Sequence, residues 1–156
     1  MKGFTLIELV VTLAILGLLA TMAAPLVSLS MQRSKEQELR TALRSMREAI
    51  DAYHQAVIEG RVTVKADTNG YPGNLKELAE GVADSKDPDG KKKLYFLRRI
   101  PRDPMSAMPD KTSPEETWGL RSYQSAPDDP QPGDDVYDVF SLSEKPGMNG
   151  LPYKQW

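Results

Sequence analysis

The sequence predicts an α+β fold: one long N-terminal α-helix, its first half transmembrane, packed by its second half on a small antiparallel β-sheet with long loops. Three observations carry this expectation. Charged residues are nearly absent over 4–31 and dense from Gln32 onward. Apolar residues then recur at Leu39, Leu43, Met46, Ile50, Tyr53 and Val57, in alternating steps of four and three, which is the stripe of an amphipathic helix. Eleven of the 12 prolines fall after Gly60, where aromatic and β-branched residues gather in short runs, the composition of strands separated by loops.

The 156 residues are enough for one domain with a core, plus attachments. There is no cysteine, which excludes a disulfide framework, a thiolate metal site and a cysteine nucleophile. A net charge of -2 arises from 20 basic and 22 acidic side chains, mixed along most of the chain. That balance argues against nucleic acid as the main partner.

Residues 9–27 form a run of 19 without a formal charge. At roughly 1.5 Å per residue this nearly crosses the ~30 Å hydrocarbon core, and residues 4–7 complete the span. A secretory signal peptide would have a shorter apolar stretch and no acid in it. A buried core helix would need more chain around it than remains. A plain anchor explains everything except Glu8, because a carboxylate at depth costs about 2.5 to 3.5 kcal/mol on insertion scales and marks a functional residue in need of a partner. No basic residue lies in the same span, so the partner is expected from another molecule or from a chain terminus.

With no strong breaker between Val27 and Glu59, one helix is expected from about Thr5 to Glu59, bent or locally melted near Pro25 and roughly 80 Å long. Glu36 with Arg40, Arg44 with Glu48 and Arg47 with Asp51 place opposite charges four apart on its exposed side. Gly60 supplies the stop. His54 has no second histidine to help it hold a metal and is read as structural.

Beyond Gly60, Asn74 with Glu77 three residues later opens a brief helix that ends before Gly81. The stretch ADSKDPDGKKK is a solvated turn. Its echo of a calcium loop at Asp87, Asp89 and Gly90 is rejected, because Ser85 and Phe96 stand where an EF-hand needs its first and last carboxylates. Residues 94–100 are expected as a short strand or a turn of helix. Residues 117–125 and 136–142 are better strands, joined across the polar loop PDDPQPGDD. The chain has no phosphate loop, histidine pair or GxSxG, and Asp128, Asp129, Asp134 and Asp135 sit among prolines and glycine as a solvated loop; it is not expected to be an enzyme.

Gly3-Phe4-Thr5-Leu6-Ile7-Glu8, behind the short cationic leader Met1-Lys2 and followed by Pro25, resembles the class III signal of type IV pilins and type II secretion pseudopilins. The resemblance implies a type IV pilin-like fold, cleavage between Gly3 and Phe4 by a prepilin peptidase, and N-methylation of Phe4. It also implies assembly through an ion pair between Glu8 of one subunit and the new Phe4 amine of a neighbour, with Pro25 as the helix-disrupting proline. The domains implied are a leader at 1–3, a transmembrane and polymerisation helix at 4–29, the amphipathic second half at 30–59 and a periplasmic globular domain at 60–156.

A second set of residues is similar to the major pseudopilins of type II secretion: Gly70-Tyr71-Pro72, then Ile100-Pro101-Arg102-Asp103-Pro104, then Trp118-Gly119, then the run from Asp135 through Ser141-Leu142, and a closing Trp156. Some dozen residues separate Pro104 from Trp118 where that family has the two blocks adjacent. The family commonly binds calcium in the loop after serine-leucine. Here that loop reads Ser143-Glu144-Lys145-Pro146-Gly147-Met148-Asn149-Gly150, without aspartate and with a lysine. The Leu142 carbonyl, Glu144 and Asn149 are the candidate Ca2+ ligands; against them stands a metal-free loop held by packing of Tyr153 and Trp156, with no cofactor.

The function implied is that of a structural filament subunit, a homopolymer in a periplasmic pseudopilus that drives protein export across the outer membrane. Its implied partners are further copies of itself, minor pseudopilins, the prepilin peptidase, an inner-membrane assembly platform and membrane lipid. The chain would be single-pass in the bacterial inner membrane, N-terminus cytoplasmic before processing. The rival readings are a type IV pilin forming surface fibres for adhesion, motility or DNA uptake, and a minor tip pseudopilin acting as a binding module.

Overall fold

The computed structural model describes residues 3–65 and 68–156, the side chains of 22–25 apart. Its first element, α1, is a helix over Leu6–Ile58, within a residue of the expected span at each end. The bend expected at Pro25 falls outside the described residues. Both ends of α1 are closed by local chemistry. At the start, Thr5 and Glu8 form a capping box, described below. At the finish, Gly60 takes φ +69, its N–H donates to the Val57 carbonyl (2.9 Å) and the Arg61 N–H to the Ala56 carbonyl (2.8 Å). This is a Schellman motif, in which a left-handed residue lets two helix-end carbonyls find donors, and glycine adopts that conformation without a Cβ clash.

The chain divides into two compact units, Met1–Lys35 and Glu36–Trp156. In the first, the large apolar side chains from Phe4 to Leu19 are exposed, and α1 carries a stretch long and apolar enough to cross a membrane. In the second, the predicted stripe is the core. Leu39, Leu43, Met46, Ile50 and Tyr53 are buried together with Leu75, Leu78, Trp118, Val136, Val139 and Tyr153, and Val57 packs at its margin. Each fully buried aliphatic side chain of this kind contributes about 1.5 to 3 kcal/mol.

The brief helix is α2, Lys76–Glu80. Asn74 Oδ1 accepts the Glu77 N–H (3.2 Å) and the Asn74 amide reaches back to Glu77 Oε1 (3.1 Å), so the cap residues read from the sequence do cap it. A two-residue strand β1, Val82–Ala83, pairs antiparallel with β2, Lys93–Leu94. The strand expected over 94–100 is therefore shorter and shifted. The cause is local: the N–H groups of Phe96 and Leu97 both turn to the Leu78 carbonyl (3.0 and 2.8 Å), which takes the chain out of any ladder. The 84–92 turn is organised by Asp87, whose carboxylate accepts the N–H groups of Lys91 and Lys92 (2.8 and 2.7 Å) rather than facing a cation.

The second hairpin joins β3, Trp118–Arg121, and β4, Asp138–Ser141, antiparallel in the register Trp118↔Ser141 through Arg121↔Asp138. Both strands are shorter than 117–125 and 136–142. The Ser122 N–H leaves the ladder for the Gln131 carbonyl (2.9 Å), and the Tyr123 N–H for Asp135 Oδ1 (2.8 Å). A 3-10 turn, Pro114–Thr117, leads into β3. The sheet is thus two separate two-stranded ribbons, with the β3–β4 ribbon in the core through Trp118 and Val139.

The blocks that the sequence separates come together here. Trp118 Nε1 donates to the Pro101 carbonyl (2.8 Å), Asp103 N–H to Thr117 Oγ1 (3.1 Å), and Ser141 Oγ to Asp103 Oδ2 (2.6 Å). The intervening residues loop out and return, held at their base by Arg102, whose guanidinium donates to the carbonyls of Met108, Pro109 and Thr112 (2.8, 2.7 and 2.8 Å). His54 stacks on Tyr71 at 4.2 Å with Nδ1 3.2 Å from the Gly70 carbonyl, a packing role.

Candidate assembly site

Gly3, Phe4 and Thr5 precede the first helical residue, and Gly3 and Phe4 are exposed. The Gly3–Phe4 bond therefore lies in non-helical, open chain. Glu8 sits in the first turn of α1. Its Oε2 accepts the Thr5 main-chain N–H (2.8 Å) and the Thr5 hydroxyl (2.7 Å), while the Glu8 N–H lies 3.4 Å from Thr5 Oγ1. These are the reciprocal bonds of a capping box, which satisfies two otherwise unpaired donors at a helix start. The partner expected only from another molecule or a terminus is thus partly present within the same turn. The Thr5-x-x-Glu8 spacing was the signal for it.

The two Thr5 donors are neutral. They engage one oxygen of the carboxylate, Oε2, without cancelling its charge, and the side chains around it, Leu6, Ile7, Leu9 and Val10, are exposed and apolar. The other polar side chains of the span are quieter. Thr12 and Thr21 hydroxyls donate to the carbonyls of Leu9 and Leu18 (2.9 and 2.7 Å), so each is satisfied inside the helix, as a hydrocarbon environment requires. Glu8 is the one charged side chain of residues 4–31.

The calcium candidates lie in the second unit. Asn149 Oδ1 already accepts the Leu151 N–H (3.1 Å), and Glu144 is exposed. No cluster of three or more metal-ligating acids or histidines occurs among the described residues. Calcium takes six to eight oxygens, usually several of them carboxylates; Leu142, Glu144 and Asn149 bring one carboxylate between them. The loop is closed by its own main chain: Gly147 N–H to the Leu151 carbonyl (2.8 Å), Tyr153 N–H to Lys145 (3.1 Å) and Lys154 N–H to Ser143 (3.0 Å). Tyr153 and Trp156 pack edge-on at 5.0 Å, and a Cβ on Gly147 would overlap the Trp156 ring.

Periodicity misplaced Glu36 and mispaired Arg47. Glu36, expected on the exposed side with Arg40, is buried at 7% exposure and accepts the Met148 N–H and the Tyr153 hydroxyl, both at 2.8 Å. Arg47 likewise reaches across to Asp138 (2.8 Å). The signal was available for Glu36, since it stands three and seven residues before Leu39 and Leu43, in register with the buried stripe.

A family model described as the prokaryotic N-terminal methylation motif matches residues 1–24. Over most of its length the chain is similar to proteins named type II secretion system core protein G. That of Pectobacterium carotovorum subsp. carotovorum is 27% identical over 147 residues, 92% of this chain and 87% of that protein. That of Klebsiella pneumoniae is 27% identical over 139 residues, 86% and 91% of the two chains. That of Dickeya chrysanthemi is 25% identical over 155 residues, 96% and 94%. No solved structure matches the chain.

Proposed function

We infer that this chain, of the type IV pilin and pseudopilin superfamily, is the major pseudopilin of a type II secretion system, a structural subunit that assembles through its N-terminal helix. The observation that carries the reading is the methylation motif over residues 1–24 joined to full-length similarity with core protein G. That similarity favours a secretion pseudopilus over a surface fibre or a tip module. The work of such a subunit is mechanical. Subunits held in the inner membrane by 4–29 enter a periplasmic filament, in contact with an assembly platform and minor pseudopilins, and the moving filament pushes cargo outward.

The local geometry supports a specific sequence of events. A prepilin peptidase cuts the open Gly3–Phe4 bond, and the new α-amine, with an ordinary pKa of roughly 7.7 to 8.0, remains cationic after N-methylation. Thr5 holds the Glu8 carboxylate back toward the helix start, on the side where that amine appears. In the filament Glu8 pairs with the Phe4 amine of a neighbouring subunit, in surroundings where breaking a buried pair leaves an uncompensated charge.

Two substitutions separate the charge from the cap. Glu8→Leu removes both. Glu8→Gln keeps an oxygen for the Thr5 N–H, since glutamine serves at this position of a capping box, but carries no charge. Both variants are expected in the membrane and cleaved at Gly3, and both absent from filaments recovered by cross-linking or shearing. Filaments of Glu8→Gln at wild-type yield would overturn the ion-pair role, leaving the cap as the whole of what Glu8 does.

A further inference from the structure

We propose that Glu36 is a built-in latch for the 143–152 loop, an anion on α1 standing where a pseudopilin loop would otherwise be gathered by a cation, so that this loop closes without calcium. The latch rests on the geometry of the second unit; the contrast with calcium rests on the pseudopilin reading.

A bound cation and a bound anion organise a loop with opposite polarity. A calcium ion draws carbonyl and carboxylate oxygens inward. A carboxylate draws N–H and O–H groups inward, and hydrogen bonds to a charged acceptor are roughly twice as strong as neutral ones. Here the Met148 N–H and the Tyr153 hydroxyl converge on Glu36 Oε1, each at 2.8 Å. The donor set is that of an anion cradle, already filled by the protein, and the same donors would face a cation with the wrong end of their dipoles. Tyr153 is itself buried at 2% exposure, so its hydroxyl needs an acceptor there.

The latch is one of three grips that α1 places on the tail. Glu36 holds the loop, the Arg40 guanidinium lies 4.4 Å over the Trp156 ring, and Arg47 Nη2 donates to the main-chain oxygens of Val139 (3.2 Å) and Trp156 (3.0 Å). At 100° per residue, positions 36, 40 and 47 fall within about 40° of one another around the helix. Removing any one leaves the others, so a Glu36 variant is expected to release the loop locally rather than unfold the unit.

The test is amide exchange on the full chain in detergent, read by mass spectrometry over 143–156, in calcium and in chelator. Wild type is expected to show the same protection in both. Glu36→Ala is expected to lose protection at Met148 by about tenfold to a hundredfold, the range open to a hydrogen bond on a charged acceptor, and added calcium is expected not to restore it. Glu36→Gln, which keeps an acceptor oxygen, is expected to lie between the two and serves if the alanine variant does not fold. Protection in wild type that rises with calcium, or unchanged protection at Met148 in both variants, would overturn the proposal. Neither result would touch filament assembly, which Glu8→Gln tests separately.

Discussion

Ser141→Ala is the sharpest probe of how the second unit holds together. Ser141 is fully buried and Asp103 is 2% exposed; the Ser141 hydroxyl donates to Asp103 Oδ2 at 2.6 Å and accepts the Ser143 N–H at 3.1 Å. Asp103 also accepts the Met105 N–H at 2.7 Å, and its own N–H meets Thr117. The bond therefore ties β4 to the segment that leads into β3, across 38 positions of sequence. Losing a hydrogen bond to a charged group, with the acceptor left in the interior, costs about 1.5 to 3 kcal/mol. For a domain of this size that is a fall in Tm of roughly 6 to 12 °C.

Urea and thermal unfolding of the full chain in detergent, followed by the fluorescence of Trp118 and Trp156, measure the change. Asp103→Asn is the companion variant. Its oxygen can keep the Met105 N–H while its amide donates to the serine oxygen, so it is expected to cost less than Ser141→Ala. The double variant is expected to show a coupling of at least about 0.5 kcal/mol, as groups in direct contact do. A Ser141→Ala protein within about 0.5 kcal/mol of wild type, the range of an indifferent surface change, would refute the claim that this bond joins the two blocks.

Two further outcomes follow from the same unit. Tyr53 is buried and donates to Glu77 Oε2 at 3.2 Å, and burial first, then the Glu77 charge and that hydrogen bond, push its phenol up to about 12. A raised acid favours the neutral form in the folded state, so its contribution is complete below pH ~10, where the unfolded phenol titrates, and is lost as pH rises through 12; the urea midpoint is expected to fall over that window less steeply in Tyr53→Phe than in wild type, and equal slopes would count against it. Gly119 lies opposite Phe140 in the β3–β4 register, and a Cβ there would overlap the ring. Gly119→Ala is expected to cost about 1 to 3 kcal/mol by overpacking, partly recovered by adding Phe140→Leu, and a neutral alanine would show that the ring moves freely aside.

Periodicity made α1 legible because both of its solvents write on the sequence, one by excluding charge and the other by spacing Leu39 through Tyr53 in steps of three and four. The β3–β4 ribbon was legible from its aromatic and β-branched residues. The β1–β2 ribbon was not, since two-residue strands have no period to read. The Asp103–Ser141 bond could be sensed only as an order of blocks, because nothing local to either residue names the other. Glu36 shows the limit most clearly. Spacing says which residues share a helix face, and it paired Glu36 with Arg40 on that ground; it does not say that residues 148 and 153 return to cover the face. Where a chain segment from far away supplies the donors, a carboxylate belongs inside; register with the stripe points to the face, and tertiary structure shows what covers it.

Two carboxylates of α1, Glu8 and Glu36, then divide along that line. Glu8 takes its donors from Thr5, three residues away, so its cap forms whenever the first helical turn forms and is indifferent to whatever else the subunit does. Glu36 takes its donors from 112 and 117 residues away, so its bonds exist only when the second unit is folded. On the assembly role proposed for Glu8, a group that keeps one orientation while a subunit sits in lipid, joins a filament and leaves it needs the first kind of support. A group that fixes a loop once, at folding, can depend on the second. The same side chain on the same helix therefore serves opposite demands, and the distance in sequence to its donors separates them.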